Sequence, residues 1–456
     1  MKRLVLTGIG LVLMAGLAFA AGGAQGGRSG TGAAPAQKLT AAQLETLNGS
    51  LYYWSGFTGD SQKWDQWRVG EFSKKYPNVK VDMQSVPESA GVGNGKLTST
   101  IAAGNPPDVI VADDYVLAYG LAGQGAFEPW DPYLEAIGLK VEDFLPGFHN
   151  LMQYQGKTYL LPQDSNIYML FINTDMADAA GLDYKNNPPK TMEDLERWAD
   201  AMTKKDARDN ITTYGFIPWV DRGNDDPTFW PYMFGAEIYN TSNNKLELLD
   251  PKVIAAYEWL RTYSRKFDPE IANGFTKSSG GFFSPDHPFF QGKLAMTVSG
   301  NWTTKPLRDY APDIKYVCVP VPAPAGGRYG GTTLGSNVFA IPKGAKRPDL
   351  AALFFKFTQD AAINADNFDQ WRSIPCTDAL FNDVSWTKKG DPVYLLERQI
   401  ANSPLSGHPA LCAVSTELAK QLATVRDEII YNKTEPRGLL QSVMTRLQPE
   451  LDRSVR

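Results

Sequence analysis

Between residues 49 and 112 the chain alternates strand-like and helix-like stretches, and this alternation constrains the fold more than any other feature. Strands are predicted at 49–54, 79–83 and 108–112. A helix is predicted over 61–76, where aromatic side chains recur at helical spacing, and another over 95–103. Strands that alternate with helices form a parallel, doubly wound sheet with right-handed crossovers. In such a sheet a ligand lies off the carboxyl ends of the strands.

Similar signals continue towards the C-terminus. Further strands are predicted at 157–162, 167–172, 293–298, 312–324 and 338–341, with strand character at 211–219. Helices are predicted to begin at Thr191, which can pair with Asp194 in a capping arrangement, at Asp250 and at Leu350, and the last 90 residues are mostly helical. A single hydrophobic core stops growing at roughly 250–300 residues. Because the chain has 456 residues, we expect about two lobes.

The N-terminus carries the pattern of a secretory signal peptide. Lys2 and Arg3 precede an apolar stretch, 4–19, and an Ala-Phe-Ala exit occupies 18–20. The alternative is an uncleaved membrane anchor, but the stretch is short for a membrane span and is interrupted by glycines. We predict a signal peptide over 1–20 and a flexible tether over 21–48. No cysteine lies near the predicted cleavage site, so no lipid-acceptor thiol is expected.

Composition and motifs disfavour several classes of function. The formal net charge is −5 and no lysine or arginine cluster stands out, which argues against binding to nucleic acid or to an anionic membrane surface. The three histidines are far apart, which argues against a zinc site. The segment Gly91–Leu97 mimics a phosphate-binding loop but lacks its first glycine and its final serine or threonine. We therefore expect no metal and no cofactor.

The three cysteines allow two interpretations. In an oxidising compartment Cys376 and Cys412 could form a disulfide, leaving Cys318 inside an apolar strand. Alternatively, all three are separate buried thiols that act as small hydrophobic side chains. The sequence does not decide between them, because the geometry of a disulfide cannot be read from spacing.

Five short sequence motifs occur in order along the chain. They are IAAGNPPDV at 101–109; GKTYLLP at 156–162; FINTD at 171–175 with GL at 181–182 and PPKT at 188–191; FQGKLAM at 290–296 with SGNW at 299–302; and AIPKG at 340–344 with the helix 351–357. Together they resemble bacterial extracellular solute-binding protein family 1, the sugar-binding proteins of ABC importers, which includes the maltose and glycerol-phosphate binders. The likeness covers roughly residues 49 to 375.

The resemblance implies a periplasmic-binding-protein-like fold, in which two α/β lobes are joined by a multi-segment hinge and the ligand lies in the cleft. Lobe 1 is then expected to comprise 49–161 plus 310–350, and lobe 2 162–309 plus 351–456. Crossings between the lobes are expected near 160–165, 303–312 and 343–358.

The resemblance also implies a role. The chain would be the substrate-binding component of an importer, without catalytic activity, that closes on a carbohydrate and delivers it to the permease and ATPase subunits in the inner membrane. Many relatives carry a lipidated cysteine after the signal peptide, and this chain has none there. A free, monomeric periplasmic protein is therefore expected.

A sugar presents apolar C–H faces and a rim of hydroxyl groups, which suit aromatic rings and polar side chains respectively. Residues of both types fall where strands and loops are expected to meet the cleft. The candidate ligand-binding residues are Trp54, Phe57, Thr58, Asp113, Asp114, Asp164, Asn166, Trp230, Asn301, Trp302, Ser336, Asn337 and Arg372.

Several candidates have structural alternatives. The three tryptophans could be core residues, as large aromatic side chains usually are. One of Asp113 and Asp114 is expected to cap the following helix while the other binds ligand. Asn166 and Asn337 could simply satisfy loop backbone groups, and Arg372 could be a surface ion-pair partner.

Two other functions are alternatives to sugar capture. A glycoside hydrolase needs two carboxyl groups roughly 5–9.5 Å apart across a bond, whereas Asp113 and Asp114 are adjacent and would point to opposite faces of a strand. An anionic ligand, such as glycerol phosphate or a uronate, would need cations in the cleft, and Arg372 is the only one placed there. A neutral mono- or oligosaccharide is therefore the expected ligand.

Overall fold

The computed structural model describes residues 38–87, 95–220, 225–277, 284–383 and 392–454. The predicted signal peptide, the predicted tether up to residue 37 and most of the loop 91–97 lie outside the described residues. The tether prediction is wrong for Ala41–Glu45, which forms a helix with Leu44 fully buried. None of the described helices combines the length and apolar character that a membrane crossing requires.

The described residues form short strands and helices of moderate length. The strands are β1 (Gly49–Ser55), β2 (Val79–Ser85), β3 (Val109–Ala112), β4 (Phe127–Glu128), β5 (Gln153–Tyr154), β6 (Lys157–Thr158), β7 (Leu161–Pro162), β8 (Asn166–Asn173), β9 (Lys204–Lys205), β10 (Ile211–Thr213), β11 (Tyr239–Asn240), β12 (Lys245–Leu246), β13 (Met296–Gly300), β14 (Tyr316–Val319), β15 (Leu334–Gly335) and β16 (Val338–Pro342). The helices are α1 (Ala41–Glu45), α2 (Gly59–Lys75), α3 (Lys96–Ala102), α4 (Tyr115–Gly123), α5 (Asp131–Ile137), α6 (His149–Met152), α7 (Thr174–Ala179), α8 (Met192–Met202), α9 (Phe229–Met233), α10 (Pro251–Tyr263), α11 (Pro269–Lys277), α12 (Thr304–Tyr310), α13 (Pro348–Thr358), α14 (Ala361–Trp371), α15 (Asp378–Asn382), α16 (Pro392–Ala401), α17 (Ser415–Asn432) and α18 (Pro436–Arg453).

The first sheet contains the predicted β-α-β-α-β unit. Its strand order is β2-β1-β3-β16-β4, and β7 also pairs with β16. Strand β1 runs parallel to both β2 and β3, which confirms the prediction for residues 49–112. Strand β16 runs antiparallel to β3, β4 and β7, so the complete sheet is mixed rather than fully parallel.

The second sheet is antiparallel and is organised around β8. Strands β13 and β14 flank β8, and β15 pairs with its beginning. Every residue from Met169 to Asn173 is buried, as expected for a central strand covered on both faces. Strands β13, β14 and β10 correspond to the strands predicted at 293–298, 312–324 and 211–219, but each differs in extent. Strand β13 is shifted towards Gly300, and the other two are shorter than predicted.

The strand pairings correct the predicted lobe boundaries. Strand β14 lies within 310–350, which was expected in lobe 1, yet it hydrogen bonds to β8 of the second sheet. Helix α13 was expected in lobe 2 from residue 351 onward. Instead, Phe354 packs on Tyr53 of β1, with ring centroids 5.0 Å apart. An apolar strand or helix packs wherever it can bury its surface, and sequence position alone does not determine which sheet supplies the partner.

Three chain segments converge between the two sheets and form the hinge. One leads from β7 to β8 and another from β15 to β16, and they are joined by a bond from the Gln163 N–H to the Asn337 carbonyl (2.8 Å). The third segment follows α14, where the Ser165 N–H donates to the Ile374 carbonyl (2.6 Å). The crossing predicted at 160–165 agrees with this arrangement. Those predicted at 303–312 and 343–358 are wrong, because β14 remains on the second sheet and α13 on the first.

All three cysteines lie among the described residues, are buried and form no disulfide. The alternative with a Cys376–Cys412 disulfide is therefore wrong, and the interpretation as separate small hydrophobic side chains is confirmed. Burial raises the pKa of the Cys376 thiol well above its usual value.

The imidazole of His408 gives the fold a defined sensitivity to acid. Its ring packs against Tyr115 and Phe148, and Nδ1 lies 2.9 Å from the Gly147 carbonyl oxygen. Burial lowers the pKa of His408 from 6.5 to about 4, although the bond to Gly147 opposes the shift. Between these values the unfolded chain binds more protons than the folded one, so stability falls as the pH decreases.

We predict that this single histidine costs about 1 kcal/mol of stability at pH 5.5 relative to pH 8. In the His408→Gln variant, which keeps a donor for the Gly147 carbonyl, the loss of stability between pH 8 and pH 5.5 should be smaller by that amount. Urea denaturation of both proteins at the two pH values measures the difference. An identical pH dependence in the two proteins would contradict the prediction.

Candidate functional site

A cavity of about 660 Å³ lies between the two sheets, beside the hinge. Its walls come from the loop after β1 and the start of α2, the loop after β3, the two hinge segments next to β7 and β15, and helices α12 and α14. The loops after β1 and β3 leave the carboxyl ends of parallel strands, which is where ligands bind in open α/β sheets. The volume falls in the range of small-molecule sites, roughly 300–1,000 Å³.

Aromatic rings contribute to several walls of the cavity. Trp302 lies in the 3-10 turn Asn301–Thr303 after β13, and Tyr168 of β8 meets it edge to face with ring centroids 5.5 Å apart. Trp64 lines the cavity from α2, and its Nε1 donates to Asp366 Oδ1 (2.8 Å), which fixes the indole. Phe57 lines the cavity from the loop after β1. Apolar ring faces of this kind suit the C–H faces of a sugar.

Asp113 and Asp114 have different positions, as the sequence suggested. Asp114 is the N-cap of α4, and its Oδ1 accepts a hydrogen bond from the Leu117 N–H (3.0 Å). This confirms that one of the two aspartates caps the helix. Asp113 lines the cavity, and its role in ligand binding stays a prediction.

Asp164 joins the hinge segments rather than standing free in the cavity. Its Oδ1 accepts from the backbone N–H of Asn337 (3.0 Å), and its Oδ2 accepts from Nδ2 of Asn337 (2.9 Å). Burial raises the pKa of the Asp164 carboxyl, while hydrogen bonds from Asn337, Ser373 and Asn367 oppose the rise. Donors from the β15–β16 segment, and from α14 with the segment after it, thus converge on one carboxylate that lies in the cavity wall.

A buried cluster behind this wall was not anticipated from the sequence. Arg68 is fully buried, forms an ion pair with Asp65 and donates to the hydroxyl of Tyr53 (3.1 Å). It also donates to the side-chain oxygen of Gln163, which lines the cavity. The guanidinium lies 4.9 Å from the centroid of the Trp64 ring. The only available sequence signal was the position of Arg68 one turn after Trp64 on a helix with an aromatic face.

The structure brings eight of the thirteen candidates together and separates five. Those that line the cavity are Phe57, Thr58, Asp113, Asp164, Asn166, Trp302, Ser336 and Asn337. Those that do not are Trp54, Asp114, Trp230, Asn301 and Arg372. Residues that line the cavity and are not among the candidates include Trp64, Tyr115, Gln163, Tyr168, Lys305 and Trp371.

Three of the candidates that do not line the cavity are buried in the protein interior. Trp54 is only 2% exposed, and Lys96 Nζ lies 4.9 Å from its ring centroid. Trp230 is 1% exposed, and its Nε1 donates to the Pro218 carbonyl (2.7 Å), so the core alternative holds for this ring. Asn301 is fully buried, and its amide bonds to backbone groups of Ile167, Ser165 and Arg372.

Arg372 forms an ion pair with a carboxylate away from the cavity. Its Nε lies 3.3 Å from Glu397 Oε1, and the Glu397 side chain is fully buried. Arg372 is therefore an ion-pair partner, as the alternative interpretation expected, but the pair is not at the surface. The backbone of Arg372 has a positive φ of 59° and ends α14.

The cavity carries an excess of acidic groups. Of the described residues that line it, Lys305 is the one cation, and it pairs with Asp309 at 2.5 Å. Asp60, Asp113, Asp164 and Asp309 all line the same cavity. Among the described residues, no three or more histidine, cysteine, aspartate or glutamate side chains are grouped so that they could hold a metal ion. The electrostatic balance therefore opposes an anionic ligand.

Comparison with known proteins gives relatives of similar sequence. A Brucella abortus protein described only as a binding protein is 28% identical over 266 residues, covering 56% of this chain and 59% of the relative, so the match spans less than two thirds of that relative. The arabinooligosaccharide-binding protein of Bacillus subtilis is 26% identical over 362 residues, covering 78% of this chain and 77% of the relative.

Solved structures agree over a larger share of the chain. The structure of CpMnBP1 with mannotriose bound superposes with a TM-score of 0.76 and 29% identity, covering 87% of this chain and 99% of that one. A substrate-binding protein of Listeria monocytogenes in complex with cycloalternan has a TM-score of 0.72 at 18% identity, covering 89% and 99%, which is evidence for the fold alone.

The fold is therefore the two-lobed α/β architecture of periplasmic sugar-binding proteins. A sequence profile described as bacterial extracellular solute-binding protein matches residues 67–391, which is well over half of the 456 residues. This chain belongs to the bacterial extracellular solute-binding protein family.

Proposed function

We propose that this chain is the substrate-binding component of an ABC importer and that it captures a neutral mono- or oligosaccharide in the cavity between its two sheets. The observation that carries the proposal is the composition of the cavity wall, which combines indole and phenol rings with carboxylates, amides and hydroxyls. Rings suit the faces of a sugar, and oxygen and nitrogen atoms suit its hydroxyl rim. The relatives named for arabinooligosaccharide and mannotriose support the same class of ligand.

The excess of carboxylates over cations supports a neutral ligand over an anionic one. A phosphate or uronate would enter beside four aspartates and one lysine that is already paired. Mannose oligomers are the first ligands to test, because CpMnBP1, at 29% identity, has been solved with mannobiose and mannotriose.

We infer that binding acts through closure of the hinge. A ligand that contacts both walls gains its full set of contacts only when the walls approach, so it favours the closed state. Delivery then requires a permease and an ATPase as partners and an extracytoplasmic location, in agreement with the family. A monomer free in the periplasm fits this role.

The same reasoning argues against catalysis. Hydrolysis of a glycoside requires one carboxyl group to act as an acid and another as a base or nucleophile. Asp164 accepts several hydrogen bonds within the hinge, Asp309 pairs with Lys305, and Asp60 pairs with Lys63 at 2.9 Å. Carboxylates held in this way are poorly placed to exchange protons with a substrate.

The proposal predicts a ligand-dependent rise in melting temperature. The purified protein would be screened with mannobiose, mannotriose, maltose and arabinooligosaccharides, and with glycerol 3-phosphate and glucuronate as anionic comparisons. A ligand that binds only the folded state stabilises it by about 2.7 kcal/mol at a hundredfold excess over Kd. We expect a shift with a neutral sugar that is lost in Trp302→Ala and kept in Leu395→Ala, an exposed apolar residue outside the cavity.

Other outcomes would contradict separate parts of the proposal. A shift with the anionic compounds alone would replace the neutral ligand by an anionic one. No shift with any sugar would overturn sugar capture. Release of shorter sugars from any of these oligomers by the purified protein would overturn the absence of catalysis.

A further inference from the structure

Helix α2 carries a stripe of side chains that begins inside the cavity and continues beyond it. Asp60 and Trp64 line the cavity, and Trp67 follows at the next position of the same stripe. The three residues are spaced i, i+4 and i+7, which places them on one helical face. The indole centroids of Trp64 and Trp67 lie 6.4 Å apart at an interplanar angle of 36°. The aromatic surface of the cavity is thus continued by a second ring outside it.

Trp67 is exposed where a tryptophan is normally covered. Its relative exposure is 38%, whereas that of Trp64 is 7%. Large apolar side chains at a surface are informative when they lie next to a site rather than scattered singly. Here the exposed ring is in contact range of a ring that forms the cavity wall.

A second exposed aromatic residue lies on another helix that lines the cavity. Tyr310 is 43% exposed and lines the cavity from α12. Lys305 and Asp309 of α12 line the cavity beside it, as Asp60 and Trp64 do from α2. Both helices therefore border the cavity. Of the described large hydrophobic residues that are exposed, Trp67 and Tyr310 are the aromatic ones, and they lie on these two helices.

We propose that Trp67, together with Tyr310, forms an outer subsite that stacks on sugar units projecting from the cavity, so that the natural ligand is a linear oligosaccharide rather than a monosaccharide. This inference rests on the proposed function and adds to it a preference for chain length. A ring at the mouth contributes nothing to a ligand that fits inside the cavity. It contributes stacking to each ligand long enough to reach it.

The test compares chain lengths in matched variants. Isothermal titration would measure the Kd of two linear series, manno- and malto-oligosaccharides of two, three and five units, for the unaltered chain and for Trp67→Ala, Trp67→Phe and Leu395→Ala. We expect the five-unit sugar of the bound series to bind the unaltered chain roughly three- to tenfold more tightly than the two-unit sugar. Trp67→Ala should remove that advantage and leave the two-unit sugar within about twofold, whereas Trp67→Phe and Leu395→Ala should keep it.

The possible outcomes distinguish failure of the outer subsite from failure of sugar capture, on which the outer subsite rests. If the unaltered chain binds sugars and Trp67→Ala keeps the full preference for longer chains, the outer subsite is wrong and sugar capture stands. If Trp67→Ala weakens all lengths equally, Trp67 supports the cavity itself and the outer subsite is again wrong. If the unaltered chain binds neither series nor any other sugar, both proposals fall together. Tyr310→Ala should likewise reduce the affinity for longer chains more than that for the two-unit sugar.

Discussion

Replacement of Asp65 by alanine is expected to lower the free energy of unfolding by about 3–5 kcal/mol. Asp65 and Arg68 are both fully buried, and the guanidinium also donates to Tyr53 and Gln163. Removing the carboxylate leaves a positive charge in the interior with no countercharge among these contacts. That cost is far greater than the loss of the pair alone, because a buried charge without its partner keeps the full penalty of desolvation.

The same helix supplies the control. Glu71 and Lys74 of α2 form an ion pair with the same i,i+3 spacing at 2.6 Å, but the lysine side chain is 74% exposed. Exposed pairs contribute about 0–1 kcal/mol, so Glu71→Ala should change stability very little. Urea denaturation of both variants tests the contrast. If Asp65→Ala costs no more than Glu71→Ala, the buried pair is not a major determinant of stability.

A double variant distinguishes charge burial from the shape of the cluster. Asp65→Leu with Arg68→Met removes both charges and keeps apolar volume, and such replacements of buried pairs are often neutral or stabilising. We expect the double variant to recover most of the stability lost in Asp65→Ala. Gln163 lines the cavity, and in the double variant it loses the hydrogen bond that Arg68 donates to it. The sugar affinity of the double variant should therefore fall even though its stability recovers.

Local sequence signals predict the individual strands and helices of this fold better than they predict which of these elements pair with each other. The β-α-β-α-β unit was predicted because the strand and helix periods alternate within 64 residues, and a parallel arrangement follows from that alternation. The capping pair of Thr191 and Asp194 was likewise local, and both of its hydrogen bonds are formed. By contrast, β14 is a short apolar strand, and nothing within it specifies that it pairs with β8 rather than with the first sheet.

The candidate site shows the same limit at the level of side chains. Trp230 and Trp302 both lie in segments that the sequence predicts to meet the cleft, yet one is a core residue and the other lines the cavity. From the sequence alone, Arg68 is expected to lie at the surface, because charged side chains are seldom fully buried. Its burial depends on Tyr53, Asp65 and Gln163, which come from a strand, a helix and a hinge segment. Such an environment is assembled by the fold and leaves no pattern in the sequence around Arg68.

A methyl group added at Gly300 is expected to reduce sugar affinity tenfold or more, although Gly300 has no side chain to contact a ligand. A Cβ atom at this position would lie 2.0 Å from Cζ3 of Trp302 and 2.2 Å from its Cη2. The backbone itself tolerates alanine, because φ is −84° and ψ is 167°. The indole of Trp302 must therefore move away from the Gly300 backbone, and with it the ring that lines the cavity and packs on Tyr168.

The expected loss in Gly300→Ala corresponds to at least about 1.4 kcal/mol, in the range for a displaced aromatic contact. The matched control is Gly438→Ala in α18, where an added Cβ meets no atom within 4 Å. That variant should bind normally and gain about 0.5–1 kcal/mol of stability, since alanine is the better helix former.

A double-mutant cycle shows whether the methyl group acts through Trp302. If Gly300→Ala weakens binding only by displacing the indole, then Gly300→Ala combined with Trp302→Ala should bind no more weakly than Trp302→Ala alone. Additive losses would mean that Gly300 has a separate role in the backbone after β13. Equal affinity in Gly300→Ala and the unaltered chain would show that the indole can move without cost to the ligand, and Trp302 would then be a structural residue at the edge of the cavity.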